Sequence, residues 1–285
     1  MLSVFGDESH DERCERVFTV GILFGFSETW AILESKWRVR NGTVPFHANN
    51  CDSDKGDFAP GEEEDPNQKH KDNKALYKDN TILLAESGLL GFASNVDLQA
   101  QAKYLPSLHI DSPRTYYKCF WDVIEMVQSV AGQFNEVAEC VFDSRAESEF
   151  NAGFLYGQLR ENYPQWSPRL AEKITFDSSK KNPRIQMADL WAREAMKALD
   201  NDIGPVKRKR RSWQALSATQ RFAAYSWSHD WFRDFSADFE NVKQRIGFSE
   251  DELMKWLREK RLEPNFANLI RFLGPMMREQ SKKRP

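Results

Sequence analysis

The sequence predicts an α/β fold in which helices flank a mixed β-sheet of about five strands. An apolar stretch beginning at Val4 and a second one at residues 17–26 are separated by a polar turn, which is typical of a β-hairpin. Across residues 74–199, segments of strand and helix periodicity alternate, as expected when helices pack on a sheet. Residues 201–285 favour helices, so we expect a main domain of residues 1–200 followed by an α-helical C-terminal extension.

The first strand ends in two neighbouring carboxylates, Asp7 and Glu8. Because side chains alternate between the faces of a strand, Asp7 shares the face of Phe5 and Glu8 takes the other, provided that the strand continues past Gly6. The alternative is that the strand ends at Gly6 and both carboxylates face water. A carboxylate at a buried strand end is costly unless it is paired or bound to a cation.

The elements after the hairpin follow from periodicity and from end signals. Helices are predicted at residues 27–39, 74–87, 113–130, 147–163 and 183–199. Strands are predicted at residues 89–98, 136–144 and 174–176. Asn182 and Pro183 are favourable at the start of a helix. Residues 49–73 are polar with almost no apolar residue, which predicts a long flexible surface loop.

The predicted extension contains a basic run and two helical segments. The helical segments cover residues 250–260 and 265–278. A run of consecutive basic residues like the one at residues 207–211 is usually a solvated loop. The sharper interpretation is that it contacts phosphates of an anionic partner. The aromatic residues that follow favour a small core over base stacking. The basic run consists of Lys207, Arg208, Lys209, Arg210 and Arg211.

Composition limits the classes of function. The formal net charge is −3, so any binding of nucleic acid has to use local basic patches. No apolar run is long enough to predict a transmembrane helix, and we expect no membrane association. The four cysteines lack paired spacing, which favours reduced thiols in a cytoplasmic protein over a zinc site.

Three aspartates are expected to converge on one point. Asp7 and Asp143 end predicted strands, and Asp189 lies beside the apolar stripe of the helix at residues 183–199. Three clustered carboxylates do not all stay ionised near neutral pH without a counter-charge. Mg²⁺ or Mn²⁺ suits such a set of oxygen ligands. Arg193, one turn beyond Asp189, is an alternative partner for that carboxylate.

Four segments resemble the family named domain of unknown function 3800 (DUF3800), which is similar to the ribonuclease H-like superfamily of metal-dependent nucleases. The segments are Phe5-Gly6-Asp7-Glu8-Ser9, Phe46-His47-Ala48, Val141-Phe142-Asp143-Ser144 and Ile185-Gln186-Met187-Ala188-Asp189-Leu190. The resemblance covers roughly residues 1–200, with His10 where family members usually carry glycine. It implies that Asp7, Asp143 and Asp189 are metal ligands, with Glu8 a plausible fourth and Asp177 an outside candidate.

Basic residues and a histidine surround the predicted centre. His47 is expected to act as a general acid or to orient a phosphate, while a purely structural hydrogen bond is the alternative. Lys180, Lys181 and Arg184 lie at the start of the helix that carries Asp189. The plain interpretation is solvated charge, and the sharper one is a rim that positions phosphates of nucleic acid beside the metal site.

The leading hypothesis is a metal-dependent nuclease that acts on RNA or DNA, with the basic run guiding the strand. One alternative is a binding module for nucleic acid or protein on the same fold, without turnover. A second alternative is a metal-dependent hydrolase of smaller phosphate esters.

Overall fold

The computed structural model describes residues 1–104, 112–144, 149–205 and 207–246. The described residues fall into two compact units, one within residues 1–99 and 110–227 and the other within residues 100–109 and 228–285. The helices predicted at residues 250–260 and 265–278 lie outside the described residues.

The first unit is built on a six-stranded mixed sheet. Its strand order is β5-β4-β1-β2-β3-β6. The first three strands of the chain pair in antiparallel fashion, whereas β4 joins β1, β5 joins β4 and β6 joins β3 in parallel. The strands are β1 (Leu2–His10), β2 (Val17–Phe26), β3 (Leu90–Asp97), β4 (Ala138–Asp143), β5 (Thr175–Asp177) and β6 (Phe222–Trp227).

The sixth strand corrects the prediction of about five strands. β6 lies in the segment that was expected to be α-helical, yet it extends the sheet along β3. Phe222 and Trp227 are buried at its two ends, and Tyr225 lies between them. Aromatic side chains fit a pleated, half-buried surface, which explains why this short segment forms a strand. The interpretation that its aromatic residues contribute to a core is confirmed for Phe222 and Trp227.

Helices cover both faces of the sheet. The helix α7 (Pro183–Ile203) packs across β1 and β2, and α5 (Ser112–Phe134) packs against β2 and β3. The other helices described are α1 (Ser27–Asn41), α2 (Ala48–Ser53), α3 (Pro66–Ala85), α4 (Leu98–Tyr104), α6 (Glu149–Asn162), α8 (Arg211–Ser217) and α9 (His229–Ile246). Among the described helices, none has the length and apolar character needed to span a membrane.

Two residues of β2 show which helix covers each face of the sheet. A Cβ atom on Gly21 of β2 would lie only 2.8 Å from the Cα atom of Ala192 in α7, so this helix rests directly on the strand backbone. On the opposite face, Phe18 of β2 contacts Tyr116 of α5 ring to ring. The start of α7 is as predicted, because the side chain of Asn182 accepts a hydrogen bond from the N–H group of Arg184.

The prediction of a flexible loop at residues 49–73 is wrong. This stretch contains most of α2, a short 3₁₀ turn at Gly56–Phe58 and the first part of α3. The few apolar residues are enough to anchor it, because Cys51 and Phe58 are buried in the same core cluster. Asp65 caps α3 by accepting the N–H group of Asn67, and Pro66 follows it.

Candidate metal centre

Asp7 lies within β1 and not at a strand end. The strand continues past Gly6 to His10, so the alternative in which both carboxylates leave the sheet at Gly6 is wrong. Asp7 takes the face of Phe5, whose ring belongs to the core cluster that includes residues of α7. Its side chain is buried, and its Oδ1 accepts the N–H group of Glu8 at 2.7 Å.

Asp143 ends β4 on the strand next to Asp7. The parallel register pairs Gly6 with Phe142, so Asp7 and Asp143 follow at equivalent positions and on the same face. Asp143 is half-buried, and its Oδ1 accepts the N–H group of Ser179 at 2.7 Å. The β1–β4 register therefore places these two carboxylates at neighbouring positions on one face of the sheet.

Asp189 reaches the same region from α7. Its side chain is buried, as expected for a residue beside the apolar stripe of that helix. Its Oδ2 accepts the N–H group of Ala48 at 2.8 Å, and the Nδ1 atom of His47 lies 3.6 Å from the same oxygen. His47 itself is 55% exposed, so this ring borders both Asp189 and solvent.

The carboxylates influence one another electrostatically. The pKa of Asp7 is raised well above its usual value, first by burial and then by the negative charges of Glu8, Asp189 and Asp143. Burial likewise raises the pKa of Asp189, an effect that His47, the Ala48 N–H group and Arg193 oppose and that Asp143 reinforces. The site therefore resists the full ionisation of its acids.

The three aspartates share a pattern of hydrogen bonding. In each, one carboxylate oxygen accepts a backbone N–H group, while the other has no hydrogen bond within the described residues. Within those same residues, no three His, Cys, Asp or Glu side chains form a group that could hold a metal ion as placed.

Two other acidic candidates are placed differently. Because β1 continues through Glu8, alternation directs this side chain to the opposite face from Asp7. Asp177 pairs with Asp143 in the β4–β5 register, but it is exposed. Both of its oxygens are engaged, one by the N–H group of Ser178 and the other by the side chain of Asn182.

Arg193 forms its ion pair with Asp52 and not with Asp189, the partner considered in the sequence analysis. Its Nη2 atom lies 3.3 Å from the carboxylate of Asp52 in α2, although its charge still lowers the pKa of Asp189. Asp52 also pairs with Lys74 and Arg210, and Arg210 pairs with the buried Glu194. The residues of this ionic cluster are far apart in the sequence, so no local motif indicated that they would pair.

The predicted basic residues divide into exposed and engaged side chains. Lys180 and Lys181 are exposed just before α7, as a phosphate-binding rim requires. Arg184 instead pairs with Glu34 at 2.9 Å and lies over the ring of Phe5. In the basic run, Arg208, Lys209 and Arg211 are exposed, Lys207 donates to the carbonyl of Asp202, and Arg210 belongs to the ionic cluster.

Comparison with known proteins adds no relative. No protein-family model matches the chain, and no curated protein matches it. The resemblance to DUF3800 proteins therefore rests on the sequence segments quoted above.

Proposed function

We propose that the protein is a metal-dependent nuclease of the DUF3800 type with a ribonuclease H-like core. The observation that carries the proposal is that Asp7 of β1, Asp143 of β4 and Asp189 of α7 lie close enough for the charges of Asp143 and Asp189 to act on the buried Asp7 carboxylate. These are the first strand, the fourth strand and a late helix, which are the elements that the family resemblance implies for the acidic ligands. The antiparallel β1–β2–β3 unit with parallel β4 and β5 beside it also supports this fold.

The donor set fits Mg²⁺ or Mn²⁺. It offers carboxylate oxygens, and on Asp7, Asp143 and Asp189 the oxygen that accepts no hydrogen bond from the described part of the chain would hold the ion. A bound divalent cation supplies charge stabilisation to the attacking and leaving oxygens of a phosphodiester during hydrolysis. The same positive charge would relieve the repulsion that now raises the pKa of Asp7.

Backbone groups keep the ligand set in place. The N–H groups of Glu8, Ser179 and Ala48 each hold one oxygen of an aspartate, so the other oxygen is directed without the use of a second side chain. Such outer contacts orient metal ligands in proteins. The geometry thus assigns a positioning role to the turns that precede α2 and α7.

Residues at the edge of the centre would handle the proton and the phosphate. His47 is 55% exposed and its Nδ1 atom lies 3.6 Å from the Asp189 carboxylate, so its imidazole could donate a proton to a leaving oxygen at this edge of the site. Lys180 and Lys181 follow Ser179, the residue that holds Asp143, and remain in solvent. Their charges would attract the phosphate backbone toward the carboxylates.

A cleavage assay tests the proposal. Labelled single- and double-stranded RNA and DNA are incubated with Mn²⁺, Mg²⁺ or EDTA, using the unmodified protein, Asp143→Asn and Asp177→Asn. We expect cleavage that needs the cation and that falls at least about 100-fold in Asp143→Asn, since losing about 3 kcal/mol of charge stabilisation costs that much in rate. Asp177→Asn is the matched control, because its oxygens are already engaged, and it should retain activity.

The same assay separates the nuclease from its alternatives. Steep weakening with added salt is expected for an extended nucleic-acid substrate, whereas hydrolysis of a small phosphodiester such as bis(p-nitrophenyl) phosphate depends on salt only weakly. A folded protein that binds nucleic acid but cleaves none of the four substrates would contradict the proposal and favour a binding module.

A further inference from the structure

A second concave site lies in the first unit, between α3 and the chain that leads into α8. Its volume is about 650 Å³, which is in the range of pockets that take small ligands. Its lining combines basic side chains with an apolar wall, and it contains none of the three aspartates of the metal centre. The principal lining residues are Lys78, Ile82, Arg208, Lys209, Arg211 and Ala215.

The base of this cavity is held rigid by the ionic cluster. The guanidinium group of Arg210 donates to both Glu194 and Asp52 and lies over the ring of Tyr77. The Tyr77 hydroxyl donates to Glu194 at 2.6 Å, and Ser212 donates to the other oxygen of that carboxylate. A cavity base fixed by this many hydrogen bonds is pre-organised for a ligand.

The one carboxylate in the lining does not repel an anion. Asp52 is neutralised by contacts with Lys74, Arg193 and Arg210, all within hydrogen-bonding or ion-pair distance. Although burial opposes ionisation, the Arg210 and Lys74 charges hold the pKa of Asp52 well below its usual value. The cluster as a whole, with Glu194 included, thus carries three cations against two carboxylates.

The rim adds positive charge with no carboxylate partner. Lys78, Arg208, Lys209 and Arg211 are exposed, and none of them forms an ion pair within the part of the chain that the structure describes. Four such cations around one cavity produce a strong positive field that favours a multiply charged anion. Arg and Lys side chains at such sites bind phosphate oxygens through charge-assisted hydrogen bonds.

The wall between these cations is apolar. Ile82, which is 37% exposed, and Ala215 both line the cavity. An inorganic ion would leave this surface unused, whereas a ligand with a flat apolar part beside its phosphate would cover it. The volume matches such a ligand of about nucleotide size.

We propose that this cavity binds a phosphate-bearing ligand of about nucleotide size. The chemistry is shared by a free nucleotide and by the phosphorylated end of a nucleic-acid strand. The proposal stands apart from the nuclease reaction, because no residue of the metal centre lines the cavity.

Calorimetric titration in EDTA tests the cavity without any contribution from a divalent cation. The probes are ATP and a short thymidine oligonucleotide with or without a terminal phosphate. We expect at least one phosphorylated probe to bind with Kd below about 1 mM. Binding of ATP alone identifies a free nucleotide, and preference for the phosphorylated oligonucleotide identifies a strand end; both outcomes support the proposal.

Two variants locate the binding. Lys78→Ala/Arg211→Ala removes a cation from each side of the cavity and should weaken binding at least about tenfold. Ala215→Trp fills the cavity, leaves every charge in place and should abolish binding. The control Lys36→Ala/Lys173→Ala removes two exposed cations elsewhere and should change Kd by less than about twofold.

Three outcomes would overturn the proposal. They are the absence of binding by every probe, equal binding of both oligonucleotides without binding of ATP, and affinity that Ala215→Trp leaves unchanged in a protein with normal circular dichroism. Because cleavage by the metal centre is measured separately, loss of the cavity proposal leaves the nuclease proposal standing, and the reverse also holds.

Discussion

Asp7 has a cost in stability that its surroundings explain. It is buried among like charges, and within the described residues its favourable contact is the hydrogen bond from the backbone N–H group of Glu8. Perturbed carboxylates of this kind gather at functional sites, because binding a cation or a substrate compensates for the cost. At the residue scale, we therefore expect Asp7 to weaken the metal-free protein and to gain a favourable partner if a cation binds.

Replacement of Asp7 by asparagine should stabilise the metal-free protein at neutral pH. Below the usual aspartate pKa of 3.8 the carboxyl is protonated in both the folded and the unfolded chain, so the variant gains nothing there. As pH rises, the unfolded chain releases the proton first, and the stability of the unmodified protein falls through the raised pKa of the folded state. Urea unfolding in EDTA at about pH 3 and about pH 7 measures the difference.

Asp7→Asn should therefore raise the free energy of unfolding at pH 7, because the variant has no buried carboxylate to ionise among like charges. Asp177→Asn is the control, since that carboxylate is exposed and hydrogen-bonded, and no such gain is expected. A loss of stability in Asp7→Asn at pH 7 would contradict this account of the site.

Sequence patterns predicted some residues of the site better than others. Alternation in β1 was enough to direct Asp7 toward the core, and the apolar stripe of α7 was enough to place Asp189. The Asp52–Arg210 pair had no such signal, because its partners are 158 residues apart. Contacts of that separation depend on how the helices pack, which residue spacing does not reveal.

At the element scale, the site depends on how closely α7 approaches β2. Gly21 permits this approach, and it pairs with Asp7 across the β1–β2 ladder. The helix therefore lies against the strands at the level of the carboxylates. Its contact residue, Ala192, is one helical turn from Asp189. A larger side chain at this position would separate the two elements that carry Asp7 and Asp189.

Gly21→Ala tests this coupling of packing to the site. The new methyl group would lie within 3.0 Å of α7 backbone atoms, so the helix must shift, and we expect a loss of about 1–3 kcal/mol in stability. Cleavage should also fall, although Gly21 has no chemical group of its own. Urea unfolding and the cleavage assay measure the two effects.

The control is Gly132→Ala in α5, where a new Cβ atom meets no atom within 4 Å. Alanine favours a helix more than glycine does, so this variant should be neutral or slightly more stable, with unchanged cleavage. Equal behaviour of the two variants would show that the close approach of α7 to β2 is unimportant.

Helix and strand periodicity identified most of the elements of the first unit, and the errors have physical causes. β6 is short and lies in a basic, aromatic segment, so its pairing with β3 outweighs any local preference. In residues 49–73, polar composition suggested a loop, but Cys51 and Phe58 supply enough burial to fix α2 and the turn after it. A few buried side chains are a weak signal in a window of polar residues.

At the scale of the whole molecule, the Asp52 cluster connects parts of the chain that are distant in sequence. Its ion pairs join α2 to α3 through Lys74, to α7 through Arg193 and to the chain before α8 through Arg210. α2 also supplies the Ala48 N–H group that holds Asp189. The cluster thus stabilises the unit and fixes the helix that borders the metal centre.

This cluster predicts a loss of stability in acid. The Asp52 pKa is lowered in the folded state, so the contribution is present above the unfolded value of 3.8 and is lost as pH falls below it. We expect Asp52→Asn to lower stability at pH 7 by about 3 kcal/mol, since Arg193 and Arg210 lose a buried partner. Between about pH 5 and about pH 2, the variant should lose less stability than the unmodified protein, because it has no carboxylate at this position to protonate.

The control for this prediction is Asp57→Asn, which removes an exposed carboxylate from the same stretch of chain. Its stability should follow that of the unmodified protein at each pH in urea unfolding. A parallel decline of Asp52→Asn and the unmodified protein in acid would show that other groups govern the acid transition.

The overall architecture was predictable because helices and strands alternate through residues 74–199. The parallel placement of β4 beside β1, which sets Asp143 next to Asp7, was not predicted, because residue periodicity does not reveal which strands pair. The position of the basic run was not predictable, since its role in a cavity depends on α3.

Titration of Mn²⁺ by calorimetry tests the central claim most directly, since it asks whether the three aspartates hold a cation. The unmodified protein, Asp143→Asn and Asp177→Asn are compared at the same pH. We predict binding by the unmodified protein and by Asp177→Asn, with affinity at least about tenfold weaker in Asp143→Asn, because a lost ligand costs more than about 1.4 kcal/mol. Equal affinity in all three proteins, or no binding by the unmodified protein, would contradict the claim.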